Sequence, residues 1–149
     1  MPRIGFIGLG VMGRPMASHL AAAGYPMQLF DAVPGTAEAL AATLAGARAA
    51  ASPAALAAAS DIVVTMVPNG EVVQSLLHGD DGLLRGLAPG ALLLDTSSSE
   101  PWLTERSAAR LVECGVAMVD APVSGAEWGA KAAELVFMVG GAEADLERA

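Results

Sequence analysis

The chain has 149 residues, enough for one domain that buries about 68–70% of the surface its unfolded chain exposes. A formal charge of -8 repels phosphate backbones and anionic lipid, which sets nucleic-acid and membrane-surface binding aside, and no apolar run reaches the roughly 18 residues of a membrane span. Cys114 is the only cysteine, so neither an intrachain disulfide nor a cysteine-cluster metal site can form; with no export signal ahead of the first strand-like segment, the expected compartment is the cytoplasm.

Apolar runs rich in Ile, Val, Leu, Phe and Met alternate with alanine-rich stretches. The runs predict strands at residues 3–7, 27–30, 62–66, 91–94, 116–119 and 135–139, with a weaker one at 48–50. The alanine-rich stretches predict helices at 12–23, 36–44, 53–58, 71–77 and 101–114, and a helix-like tail over 142–149 that ends without a stop signal, as an interrupted protein would. Gly24, Gly46 and Gly115 fall at helix C-termini, and Ser52 followed by Pro53 reads as an N-cap with proline at the first helical position. Alternating strands and helices predict an α/β fold, and the near-continuous apolar character of the first five strands is that of buried parallel strands. The expected fold is a single Rossmann-type domain over residues 1–149, doubly wound around a mostly parallel sheet.

The strand ending at Ile7 leads into Gly8-Leu9-Gly10-Val11-Met12-Gly13 and then a helical run, the G-x-G-x-x-G spacing in the strand-turn-helix context that gives it meaning. In that scheme Gly8 permits the tight turn, Gly10 lets backbone approach a pyrophosphate, and Gly13 allows helix and strand to pack closely. The helix N-terminus then offers free N–H groups and its positive dipole end to the phosphates. Asp31 lies 18 residues after Gly13, at the end of the second strand. There it is either the acceptor for the adenosine ribose hydroxyls or a turn aspartate ahead of Pro34-Gly35. It would repel a 2′-phosphate, and Ala32-Val33-Pro34 supplies no cation, so NAD is expected rather than NADP. Arg14 is either a phosphate partner or an exposed helical arginine.

Residues 8–17, together with Asp120-Ala121-Pro122-Val123-Ser124-Gly125, resemble the β-hydroxyacid dehydrogenase family, which includes 3-hydroxyisobutyrate dehydrogenase and tartronate semialdehyde reductase and has 6-phosphogluconate dehydrogenase and the imine reductases as relatives. Met66-Val67-Pro68, Asp95-Thr96-Ser97-Ser98 and Met138-Val139-Gly140-Gly141 follow in the family's order. The resemblance implies hydride transfer between a nicotinamide cofactor and a small 3-hydroxy acid or its semialdehyde. It implies that Val67 and Pro68 line the adenosine and ribose side, that Ser98 replaces a threonine near the nicotinamide, and that Ser124, Gly125 and Ala126 belong to the loop gripping the substrate carboxylate. Without the resemblance, Ser124 reads as an ordinary turn serine. Ala126 and Ala133 stand where the family has glycine, and Glu134 where it has threonine, which changes the shape and charge of that loop.

The resemblance also implies a general acid-base lysine on a helix beyond Ala149, and a second, helical domain, absent from this chain, that closes the site and forms a homo-oligomer. On that reading no catalytic residue lies in these 149 residues, which would be inactive alone. Lys131, the only lysine, reads as a surface-loop residue, and His19 and His78 as helix residues away from the chemistry. Trp128 is either an apolar wall of the substrate site or a contact for a neighbouring domain. A non-catalytic dinucleotide-binding module, a degenerate fragment and an imine reductase-like enzyme remain as alternatives.

Overall fold

Strand β1 (Ile4–Ile7) has parallel partners on both edges, β2 (Met27–Phe30) and β4 (Ile62–Thr65), and all four of its residues are buried. A strand so enclosed has no wet face, which is why its sequence shows no alternation. The computed structural model, which describes residues 1–149, extends this pair into a six-stranded parallel sheet with β3 (Ala47–Ala49), β5 (Leu92–Asp95) and β6 (Ala117–Asp120), in the order β3-β2-β1-β4-β5-β6. The connection direction reverses between β1 and β4, and in open α/β sheets the crevice at the strand C-termini of such a switch point holds the ligand.

Helices cover both faces. Helices α1 (Gly13–Ala22) and α2 (Thr36–Ala41) pack with Ile4, Phe6, Leu29 and Val64 on one side. Helices α3 (Pro53–Ala58), α4 (Gly70–Leu77) and α5 (Pro101–Val112) pack with Ile7, Val63, Leu93 and Met118 on the other. The Ser52 hydroxyl caps α3 by accepting from the Ala55 amide at 3.1 Å, as expected. Asn69 caps α4 in the same way through the Val72 amide at 3.0 Å, so that helix starts at Gly70. Helix α2 stops at Ala41 rather than at residue 44, where the Thr43 amide and hydroxyl both turn back to the Leu40 carbonyl. At the opposite end of the sheet, Arg3 binds Asp61 through its guanidinium at 2.7 Å and its amide at 2.8 Å, which pulls the Asp61 carboxyl down to about 2. Both side chains are about half exposed, so the pair adds little stability.

Beyond Asp120 the chain leaves the expected pattern. Residues 135–139 do not add a strand to the parallel sheet; Val136–Phe137 form a short strand β8, antiparallel to β7 (Val123–Ser124), and both its residues are exposed. Between them lies an unexpected helix, α6 (Ala126–Ala132), so Trp128 and Lys131 sit on a helix and not on a loop. Its start carries no side-chain cap and its middle carries Gly129, so the usual helix signals are absent. The helix-like tail is a single turn, α7 (Glu143–Leu146).

Ala126 (φ 49°) and Ala133 (φ 57°), which bracket α6, are the two non-glycine residues with positive φ. The left-handed region costs an L-residue with a β-carbon roughly 1–2 kcal/mol. Ala133→Gly, at the C-terminal cap, is therefore expected to stabilise the fold by about 1 kcal/mol, since glycine meets no such penalty there. Thermal denaturation should show a rise of roughly 3 °C for a chain of this size; an unchanged or lowered midpoint would show that Ala133 is unstrained.

Candidate functional site

The C-terminal ends of β1, β2 and β4 open into a cleft of about 450 Å³. Gly8, Gly10, Val11, Met12 and Gly13 form its floor, Asp31 stands at one side, and Val67 and Pro68 form the other. Val72 and Leu76 of α4 complete the wall; they lie one helical turn apart, on the flank of α4 that the cleft exposes. A larger cavity of about 550 Å³ lies between the sheet, α1 and β8, but it is lined almost wholly by apolar side chains and includes none of the glycine turn, Asp31 or Val67. Volume alone therefore does not locate the site.

The three glycines of the turn divide into two kinds. A β-carbon at Gly8 would run into the Met66 carbonyl, and one at Gly13 into the Gly8 carbonyl, so the fold itself demands glycine at both. A β-carbon at Gly10 would meet nothing within 4 Å. Gly10 borders the cleft, so the space its missing side chain leaves is open to the cleft. Leu9, by contrast, is buried in the core and presents only its backbone to the turn.

Asp31 takes the turn role, with both carboxylate oxygens engaged by backbone amides. Its Oδ2 accepts from the Leu9 amide at 2.7 Å, and its Oδ1 accepts from the Val33 amide at 2.8 Å, so it is a turn aspartate that also grips the glycine turn. It still lines the cleft, and each carboxylate oxygen keeps a second lone pair for a ligand hydroxyl. Helix α1 begins beside it with no side-chain cap at Met12 and no acidic residue in the first turn, leaving its positive end uncompensated and facing the cleft.

Ser98 is exposed and does not line the cleft; it is its neighbour Ser97 that reaches into the framework: fully buried, its hydroxyl accepts from the Val67 amide at 3.0 Å. Sequence reasoning missed Ser97; the one signal available was the hydroxyl-rich run immediately after a strand. Ser124, Gly125 and Ala126 are exposed, on β7 and at the start of α6, and none of them lines the cleft. Lys131 pairs with Glu127 at 2.5 Å and lies 5.8 Å from the Trp128 ring centre. His19 donates from Nε2 to the Ala130 and Lys131 carbonyls at 3.0 and 3.1 Å, and His78 is an exposed cap residue at the end of α4. None of these three basic residues borders the cleft.

The family described as the NAD binding domain of 6-phosphogluconate dehydrogenase matches residues 3–149. The chain belongs to that family. It is 46% identical over 149 residues to a Pseudomonas aeruginosa NAD-dependent L-serine dehydrogenase, covering all of this chain and 49% of that protein. The solved structure of Mycobacterium tuberculosis 3-hydroxyisobutyrate dehydrogenase with L-serine superposes with a TM-score of 0.90 at 38% identity, covering 99% of this chain and 49% of that one. Psf3 in complex with NADP+ and 2-OPP matches with a TM-score of 0.89 at 30% identity, over 97% of this chain and 51% of that one. The chain thus spans about half the length of the relatives it matches, and within it lies the NAD-binding domain of that family.

The cleft of such a domain fits a dinucleotide on its own geometry: an uncapped helix end for the pyrophosphate, an open place at Gly10 and a carboxylate at Asp31. Gly10→Ala is expected to fold with an unchanged melting temperature while losing most of its affinity for NADH, because the methyl group enters ligand space alone. Thermal shift with and without NADH checks both halves; stabilisation by NADH equal to wild type would move the phosphate cradle elsewhere.

A second titratable group stands at the strand ends. Asp120 is the register neighbour of Asp95, and burial, followed by the charge of Asp95, pushes its carboxyl above the ordinary aspartate value. A raised native value means that the native state holds the proton more tightly, so the associated stability is present below the ordinary aspartate pKa of about 3.9 and is lost as pH rises through the native value. Asp120→Asn, always uncharged, should therefore melt higher than wild type at pH 7. The advantage should shrink as pH falls to about 4, which melting curves across that range will show.

Proposed function

We propose that this domain binds NAD(H) in preference to NADP(H) and serves the interconversion of a small 3-hydroxy acid and its semialdehyde. The observation that carries the reading is the pairing of ligand space at Gly10 with the Asp31 carboxylate on one cleft. A bound nicotinamide supplies the hydride acceptor or donor, and the chain's part is positioning and electrostatics. Gly8, Leu9, Gly10, Val11, Met12 and Gly13 cradle the pyrophosphate, Val67 and Pro68 flank the adenosine and ribose side, and Ser98 faces the nicotinamide end. Ser124, Gly125 and Ala126 receive the substrate carboxylate. The NAD-dependent L-serine dehydrogenase relative supports both cofactor and substrate class, and the NADP+ held by Psf3 marks the cofactor choice as a local one.

No residue of this chain takes the acid-base role in this reading. His19 is held by two backbone carbonyls, Lys131 by Glu127, and His78 lies at a remote helix end. A general base in a longer protein would come from beyond Ala149, and that protein would work in the cytoplasm as a homo-oligomer. No helix here is long and apolar enough to cross a membrane.

Cofactor choice tests the reading. Calorimetry should give NADH a tighter constant than NADPH by about tenfold or more, the scale of a phosphate placed against an uncompensated carboxylate. Asp31→Asn, which retains an acceptor for the Leu9 amide but removes the charge, should narrow that gap. Equal constants for the two cofactors in wild type would overturn the assignment.

A further inference from the structure

Asp95 ends β5 fully buried, and its carboxylate is engaged from three directions. Its Oδ1 accepts from the Thr65 hydroxyl at 2.9 Å and the Ser97 amide at 3.0 Å, and its Oδ2 accepts from the Ser99 hydroxyl at 3.2 Å. No cation pairs with it. Burying a carboxylate is costly unless donors replace the lost water; here Thr65 directly precedes the cleft-lining Met66-Val67-Pro68, and Ser97 binds the Val67 amide.

Two consequences follow from which residues those donors are. Ser97 and Ser99 flank Ser98, so the exposed Ser98 is held by anchors on both sides. Ser97 also uses its hydroxyl to hold the Val67 amide, so the loop after β4 and the loop after β5 are locked together through one carboxylate. Thr65 fixes the near edge, since its own carbonyl accepts from the Thr96 hydroxyl at 2.7 Å. Exposed loops with few internal contacts are mobile; this one is braced from beneath.

We propose that Asp95 is a positioning residue of the dinucleotide site: without touching a ligand, it sets the spacing between Val67-Pro68 on one wall and Ser98 at the other end. The inference rests on the reading of the cleft given above. It is distinct from that reading because the bracing exists in the protein alone.

The test uses the 149-residue chain, labelled with nitrogen-15, as wild type, Asp95→Asn and Ser99→Ala. Asp95→Asn weakens the acceptor while retaining its shape, and Ser99→Ala frees one side of Ser98 at a partly buried position. Expected in Asp95→Asn are amide hydrogen exchange at Val67 and Ser97 faster by about tenfold, with Val63 in the sheet centre unchanged, and an NADH dissociation constant raised by a similar factor. Ser99→Ala should weaken NADH binding while leaving Val67 exchange near the wild-type rate, because Ser97 keeps its anchor. A uniform acceleration that includes Val63 would mean general destabilisation and would overturn the positioning role, as would unchanged exchange at Val67 and Ser97 together with unchanged affinity. Wild-type protein that binds no NADH would instead overturn the reading of the cleft, and the exchange rates would then decide the bracing by themselves.

Discussion

Two backbone carbonyls lie against the glycine turn too closely for any side chain to fit, and the cleft is arranged around them. The Gly8 carbonyl lies where a Gly13 side chain would be, and the Met66 carbonyl lies where a Gly8 side chain would be. Helix α1, the turn and the loop after β4 thus pack backbone against backbone, closer than any side chain permits. That contact fixes the direction of α1, whose uncapped end then faces the cleft. Asp31 reinforces it from the next strand by holding the Leu9 amide. Its charge stands at the cleft, and its hydrogen bonds bear on the shape of the turn, so a substitution there changes both.

The two aspartates that end β5 and β6 show how position along a strand end decides the state of a carboxylate. They are register neighbours. Asp95 has three donors and no exposure, whereas Asp120 makes backbone hydrogen bonds to Gly140 on both sides of its peptide but gains no side-chain partner. Burial and the neighbouring charge then act on Asp120 without compensation, and its proton is held more tightly.

The first 120 residues were largely legible because they obey rules that sequence records directly. A strand with parallel neighbours on both sides must be apolar throughout, which marked β1, β4 and β5, and Ser52-Pro53 announced α3. The glycine turn and Asp31 were readable for the same reason, since each residue type there answers a steric or electrostatic need. Residues after Asp120 were not legible. Helix α6 starts from a positive-φ alanine without a capping side chain, and β8 is an apolar strand with little sheet to cover it, so periodicity and punctuation gave no signal. Ser97, Asp95, Val72 and Leu76 escaped for another reason: their roles come from contacts across loops and between helix and cleft, which a linear pattern does not encode.

His19 joins helix α1 to helix α6. Helix α1 begins at the cleft floor, and near its other end His19 donates to the Ala130 and Lys131 carbonyls in the last turn of α6. Helix α6 in turn begins at Ala126, directly after Ser124 and Gly125. The C-terminal carbonyls of a helix carry its negative dipole end and lack partners within it, so an N–H donor there satisfies groups that water would otherwise have to reach. The helix that faces the cleft and the helix that follows Ser124-Gly125 are therefore tied to each other by the His19 side chain.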